Sequence, residues 1–282
     1  MKTSYECFEV SVEDRVAHIR LSRPQKRNAM SPSFWTDLPA IIRDIDDNAR
    51  ARVVVISADT AGERPVFSAG IDVSMFSGIG GAGDKNAPEY GAAFYQNVLE
   101  LQDSFTALER ARIPVIAAID GACIGGAVDL ITACDMRYAT ERSFITIYEI
   151  IVGMTADVGT FPRILNHMPE GVVRELSYTG RRMGAGECER YGLFNQCFAD
   201  HAAMMAHVME VARDIAARPP LAVYGCKRII TYARDHSTQD TLDNIAVWNM
   251  SMLIPSEMME AMAAKGQKRA GTFADLPPRK TG

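Results

Sequence analysis

The rhythm of hydrophobic and polar positions changes several times along this chain. Residues 6–12 and 15–21 alternate and are split by Glu13-Asp14, which predicts a hairpin. From 31 to 50 the period becomes helical, with Leu38, Ile41, Ile42 and Ile45 on one face. The runs "RVVVISA" (52–58) and "IPVIAAID" (113–120) are continuously apolar, as strands buried on both faces are. A long helical pattern spans 89–111, and a second apolar helix is predicted from about 125 to 134. Strands and helices thus alternate through the first 200 residues, which predicts an α/β fold with mainly parallel pairing.

After about Asp200 only helical patterns remain, over 201–217, 220–234, 238–253 and 256–269. The first carries Met204, Val208, Val211 and Ile215 at helical spacing. The last is rich in Met and Ala, so it is expected to pack on its own subunit or on a neighbour. The chain therefore divides, in this reading, into a core over 1–200 and a helical region over 201–282. The stretch "GIGGAGDKN" (78–86) is glycine-rich but lacks the Gly-Lys-Ser/Thr ending of a phosphate loop. It is expected to be a mobile surface loop.

Composition narrows the classes. The 282 residues are 48% hydrophobic and 23% charged, ordinary for a globular protein. No apolar run reaches the length of a membrane span. The start "MKTSYECFEV" has no signal-like apolar region, and "PPRKTG" is no peroxisomal address. Six cysteines include no C-x-x-C pair, which suits reduced thiols in a cytosol. A net charge of −5 disfavours nucleic acid as a partner. An anionic small molecule would need a local basic patch.

Five histidines lack metal spacing, and no H-E-x-x-H, G-x-S-x-G or Rossmann fingerprint occurs. Two glycine turns and a set of acids remain. "FSAGID" (67–72) and "IDGACIGGAVDL" (119–130) each place small residues directly after a strand, and the second opens a helix. Such turns expose backbone N–H groups that serve an oxyanion, a phosphate or nothing at all. Asp129, Glu149 and Asp157 lie in stretches that otherwise read as core. Burying a carboxylate costs several kcal/mol unless it is paired, hydrogen-bonded or protonated. The bland alternatives are an ion pair of Asp129 with Arg137 or Arg163, a strand-end role for Glu149, and an N-cap role for Asp157. Asp135 reads as structural.

Taken together, "IRLSRPQKRNAM" (19–30), "FSAGID" (67–72), "PVIAAIDGACIGGAVDLITACDMRYA" (114–139) and "EIIVGMTADVGTFPRI" (149–164) resemble the crotonase, or enoyl-CoA hydratase/isomerase, superfamily. The likeness covers nearly the whole chain. It implies a spiral of ββα units, a C-terminal helical region used for trimers or hexamers, and an acyl-CoA substrate. It implies no metal, and no cofactor beyond the coenzyme A of the substrate. It places the oxyanion hole at the N–H groups of Ile71 and Gly126. Hydratases of the family use two Glu; here the first position is Asp129 and the second Glu149. Asp157 is an added acid where hydratases have a glycine-rich turn, and this is similar to members that isomerise dienoyl-CoA thioesters. The resemblance then implies Glu149 as base, Asp157 as acid and Asp129 as the group that tunes them. Ala127 departs from the family's frequent third Gly, and the lack of an organelle address, unlike the family's eukaryotic members, makes a bacterial cytosol the expected location. Coenzyme A contacts are expected from Arg23, Lys26, Arg27 and Ala69, and from Lys265, Lys268 and Arg269 on the last helix. A hydratase, a simple enoyl-CoA isomerase, and a homologue that only binds acyl-CoA or RNA are the rival readings.

Overall fold

The computed structural model describes residues 2–60, 64–78 and 88–279. The glycine-rich stretch 78–86 lies almost wholly outside the described residues. Strands β1 (Phe8–Glu13) and β2 (Val16–Leu21) form the expected hairpin. Its two-residue loop, Asp14 and Arg15, has positive φ at both positions, the twist that suits a tight hairpin. Helix α1 (Pro32–Asp47) follows and buries Leu38, Ile41, Ile42 and Ile45 as its spacing predicts.

A unit then repeats. Strand β3 (Val53–Ala58) is followed by the short β4 (Val66–Ser68) and helix α2 (Pro88–Arg110). Strand β5 (Val115–Ile119) is followed by β6 (Ala122–Ile124) and α3 (Gly126–Thr132). Strand β7 (Met136–Thr140) is followed by β8 (Phe144–Thr146), a 3₁₀ turn (Glu149–Val152) and α4 (Thr160–Ile164). The first strand of each unit enters one sheet and the second enters another. Helices α5 (Glu170–Thr179) and α6 (Ala185–Tyr191), with strands β9 (Met183–Gly184) and β10 (Gln196–Phe198), complete the pair. The larger sheet runs β1-β2-β3-β5-β7-β10 and is parallel except for the hairpin. The smaller runs β4-β6-β8-β9. Its short strands carry no periodic signal long enough to be read from sequence.

The apolar runs of β3 and β5 are explained by two cores, because successive side chains point to opposite faces. Val54, Ile56, Ala117 and Ile119 join the core with α1, α2 and α3. Val53, Val55, Ile116 and Ala118 join a second core closed by α7 (His201–Ala216) through Met204, Val208, Ala212 and Ala216. Asp135 is structural as expected: it accepts the Val115 N–H at 2.7 Å and pairs with buried Lys227 at 2.9 Å. Helices α8 (Pro220–Ala233), α9 (Thr238–Met252) and α10 (Pro255–Gly266) follow. They leave Leu242, Val247, Met250, Met258, Met259 and Met262 exposed on the single chain.

Candidate active site

The two glycine turns meet. Met30 pairs with Ile71 as a parallel bridge, in which the Met30 N–H donates to Gly70 O at 2.8 Å and the Asp72 N–H donates to Met30 O at 3.0 Å. That pattern uses the groups on either side of Ile71 and leaves its own N–H directed away from the bridge. Gly126 is the first residue of α3, where an N–H has no partner within the helix. A Cβ on Gly126 would stand 3.7 Å from the Ile71 nitrogen, so the two donors share one small space. Gly70 explains why they can. Its φ is +79°, and a Cβ there would fall 2.5 Å from Ile124 O and 3.1 Å from Gly126 N. Any side chain would push the turns apart. The walls of this space are apolar, with Met30 Sδ and the Trp35 ring both at Gly126. Ala127, the departure from the family pattern, points into the main core.

The three acids gather beside this pair. Glu149 opens the 3₁₀ turn, and a Cβ on Gly125 would meet its Oε1 at 3.1 Å. Its Oε2 is buried and has no hydrogen-bond partner among the described residues. Burial pushes the Glu149 carboxyl up, its own backbone N–H opposes this, and Asp157 adds a further upward push. Burial also raises Asp157. Asp157 is not an N-cap: α4 begins at Thr160 with Gly159 as its cap residue. The α4 end is held instead by Asp129, whose Oδ1 accepts the Thr160 N–H at 2.6 Å.

Asp129 is 1% exposed. Neither expected arginine pairs with it: Arg137 donates to carbonyls of Leu193 and Cys134, and Arg163 pairs with Glu109 at 3.2 Å. Burial first, then repulsion from Glu149, pushes its carboxyl up to about 7, against the hydrogen bonds from Thr160. Burial of all three, with Glu149 acting on Asp129 and Asp157 on Glu149, thus makes these carboxyls hold protons more tightly than free carboxyls do.

A cleft of about 600 Å³ is lined by Arg27, Ala69, Ile124, Phe144, Arg142 and Arg182, among others. Of the expected coenzyme A contacts, Arg27 and Ala69 are brought there, tied by an Ala69 N–H to Arg27 O bond of 3.0 Å. The others are placed elsewhere. Arg23 is turned inward, donates to Ala29 O at 3.0 Å and lies against Glu6 and Asp72. Lys26 is exposed outside the cleft lining. Lys265 is exposed on α10, which ends at Gly266, so Lys268 and Arg269 lie beyond the helix. Arg269 pairs with Glu260. Sequence reasoning missed Arg142, Arg182 and Phe144 of the cleft, where Arg182 stacks over the Phe144 ring at 4.5 Å. It also missed Asn28, whose side-chain amide ties the first motif to Asp59 O and Val66 O.

Paired sheets thus bring an N–H pair and buried acids together at a strand–turn–helix junction. The family model "Enoyl-CoA hydratase/isomerase" matches residues 11–270, and the chain belongs to that family. The mouse mitochondrial Delta(3,5)-Delta(2,4)-dienoyl-CoA isomerase is 38% identical over 94% of this chain and 81% of its own. The peroxisomal enzyme of that name from Arabidopsis thaliana is 34% identical over 97% and 99%. A Thermobifida fusca YX protein solved in complex with acetoacetyl-CoA superposes with a TM-score of 0.77 at 28% identity, over 88% of this chain and 94% of that one. Both named isomerases belong to organelles, so these relatives lend no support to the expected bacterial cytosol. Among the described residues no helix is long and apolar enough to cross a membrane.

Proposed function

We propose that this chain converts 3,5-dienoyl-CoA to 2,4-dienoyl-CoA. The observation that carries the reading is the third acid: Asp157 reaches the same apolar site as Glu149 and raises its carboxyl. The reaction removes a proton from C2 and delivers one to C6, two carbons roughly 5 Å apart in an extended chain. One side chain serves both poorly, and two carboxyls serve them well. Glu149, with a buried oxygen lacking any partner among the described residues, takes the C2 proton. The electrons move into a dienolate, and its thioester oxygen is held by the Ile71 and Gly126 N–H groups. One such donor contributes about 3–4 kcal/mol. Asp157 gives its proton to C6. Glu149 and Asp157 are both partly exposed, so they exchange the proton through water between turnovers. Asp129 does not touch substrate; it bears on the pair through its repulsion with Glu149 and anchors α4.

The nucleotide end of coenzyme A fits the arginine-lined cleft beside Ala69. The exposed methionines of α9 and α10 support a homotrimer or a pair of trimers. Ultraviolet spectroscopy with a 3,5-dienoyl-CoA tests the reaction. The longer-wavelength 2,4-dienoyl-CoA should appear; water addition without it would move the chain to the hydratases.

A further inference from the structure

Asp157 sits in an irregular stretch, residues 153–159, that lies between the 3₁₀ turn and α4 and joins no strand ladder or helix. A proton donor in such a stretch needs to be held from outside. Gln102 on α2 does this, and two further residues of the same helix face hold the helix that follows. Gln102 Nε2 donates to the Asp157 carbonyl at 2.7 Å. Arg163, just beyond, donates to Thr106 Oγ1 at 3.1 Å and to Glu109 Oε2 at 3.2 Å. Positions 102, 106 and 109 follow the i, i+4, i+7 spacing of one helix face. Between these grips, Asp129 accepts the Thr160 N–H. Of these contacts, only that of Gln102 falls on Asp157 itself.

We infer that Gln102 is a positioning residue for proton delivery at the far carbon, resting on the isomerase reading above. Its amide fixes the backbone from which the Asp157 carboxyl projects. It touches none of the groups that act at C2: Glu149 is carried by the 3₁₀ turn and the oxyanion donors by the glycine turns. Loss of the Gln102 N–H therefore uncouples the two proton transfers. A misplacement of about 1 Å costs up to roughly 10²-fold in rate.

The test uses the full chain with 3,5-dienoyl-CoA in deuterated water. Two readouts are taken: 2,4-dienoyl product, and deuterium at C2 of recovered substrate. In Gln102→Met, which keeps length and helix preference but removes the donor, product formation should fall about tenfold or more. Exchange at C2 and KM should stay within about twofold of wild type. Gln102→Leu removes the donor with a second side chain of high helix preference, and should give the same split. Thr106→Val, which loosens the same helix face without touching Asp157, should leave the ratio of product to exchange unchanged. Product and exchange falling together in either Gln102 variant would reduce Gln102 to a structural role, and no change in either would remove it altogether. A wild-type protein that neither isomerises nor exchanges would overturn the isomerase reading instead, so the two failures are told apart.

Discussion

Asp120 and Asp129 stand on either side of the same glycine turn, and each is 1% exposed. Their protonation is opposite. Burial pushes Asp120 up, but His201, Arg142, Thr60 and Thr140 together outweigh it and hold the carboxyl far below its ordinary range. Arg142 donates two bonds of 2.7 Å, and the two threonine hydroxyls donate at 2.8 Å each. Asp129 has the Thr160 donor and a neighbouring acid, and it rises to about 7. Burial alone does not set the charge of a carboxyl; the donors that come with it do. One end of the turn is a clamp built on a fixed charge, and the other is a reservoir of protons.

The same chemical change, carboxyl to amide, should therefore read out differently at the two ends. The largest effect is at the reservoir's working member. Glu149→Gln keeps shape but loses the proton acceptor, and turnover should fall about 10²–10⁴-fold. Its melting temperature should hold or rise, because a repulsion with Asp129 and Asp157 is removed. Steady-state kinetics beside a thermal melt checks both, and turnover within a few-fold of wild type would make Glu149 structural.

At the clamp the order reverses. Asp120→Asn turns an amide N–H₂ toward groups that are themselves donors, and strands Arg142. A loss of about 2–4 kcal/mol follows, toward the low end because Arg142 is half exposed. Asp129→Asn keeps an oxygen for the Thr160 N–H and should cost under about 1 kcal/mol. Denaturant midpoints of the two variants separate them. Equal losses would mean that burial, not partners, governs both sites.

The smallest effect is on pH dependence. The Asp129 carboxyl titrates near 7 when folded and near 3.9 in an unfolded chain. Between those values the folded protein holds more protons, so this group's contribution falls as pH rises through that window and is flat above it. Asp120 has the other sign: its contribution is full above about 3.9 and is lost as pH falls toward the folded value. From pH 4 to pH 7 the wild type should thus lose stability relative to Asp129→Asn. His18 and His167, whose depressed values act in the opposite direction over part of this range, cancel in the difference. Parallel melts at pH 4.5 and 8 measure it, and a difference that does not change with pH would contradict a raised Asp129.

Much of this fold is legible in the sequence. The hairpin, α1, the two apolar strands and the helices of the C-terminal region follow from period 2 and period 3.6, which depend on near neighbours. The glycine turns are legible because Gly70 and Gly125 occupy backbone conformations that other residues avoid. The acids are conspicuous because carboxylates in apolar runs are costly. The smaller sheet is not legible, since its strands are two or three residues long. The coenzyme A contacts are half legible: Arg27 reaches the cleft, while Arg23, of the same charge in the same motif, turns inward to Glu6 and Asp72.

By itself, then, the sequence settled the local conformations and the inventory of reactive groups, because both rest on interactions within a few residues of chain. Tertiary structure alone decided what each group became. Asp120 and Asp129 differ through Thr60, Thr140 and His201 on one side and Glu149 and Thr160 on the other. Gln102 meets Asp157 across 55 residues of chain. The free energy of a buried charge is set through space by the dipoles and charges around it, and which of these lie close is known only once the chain has folded.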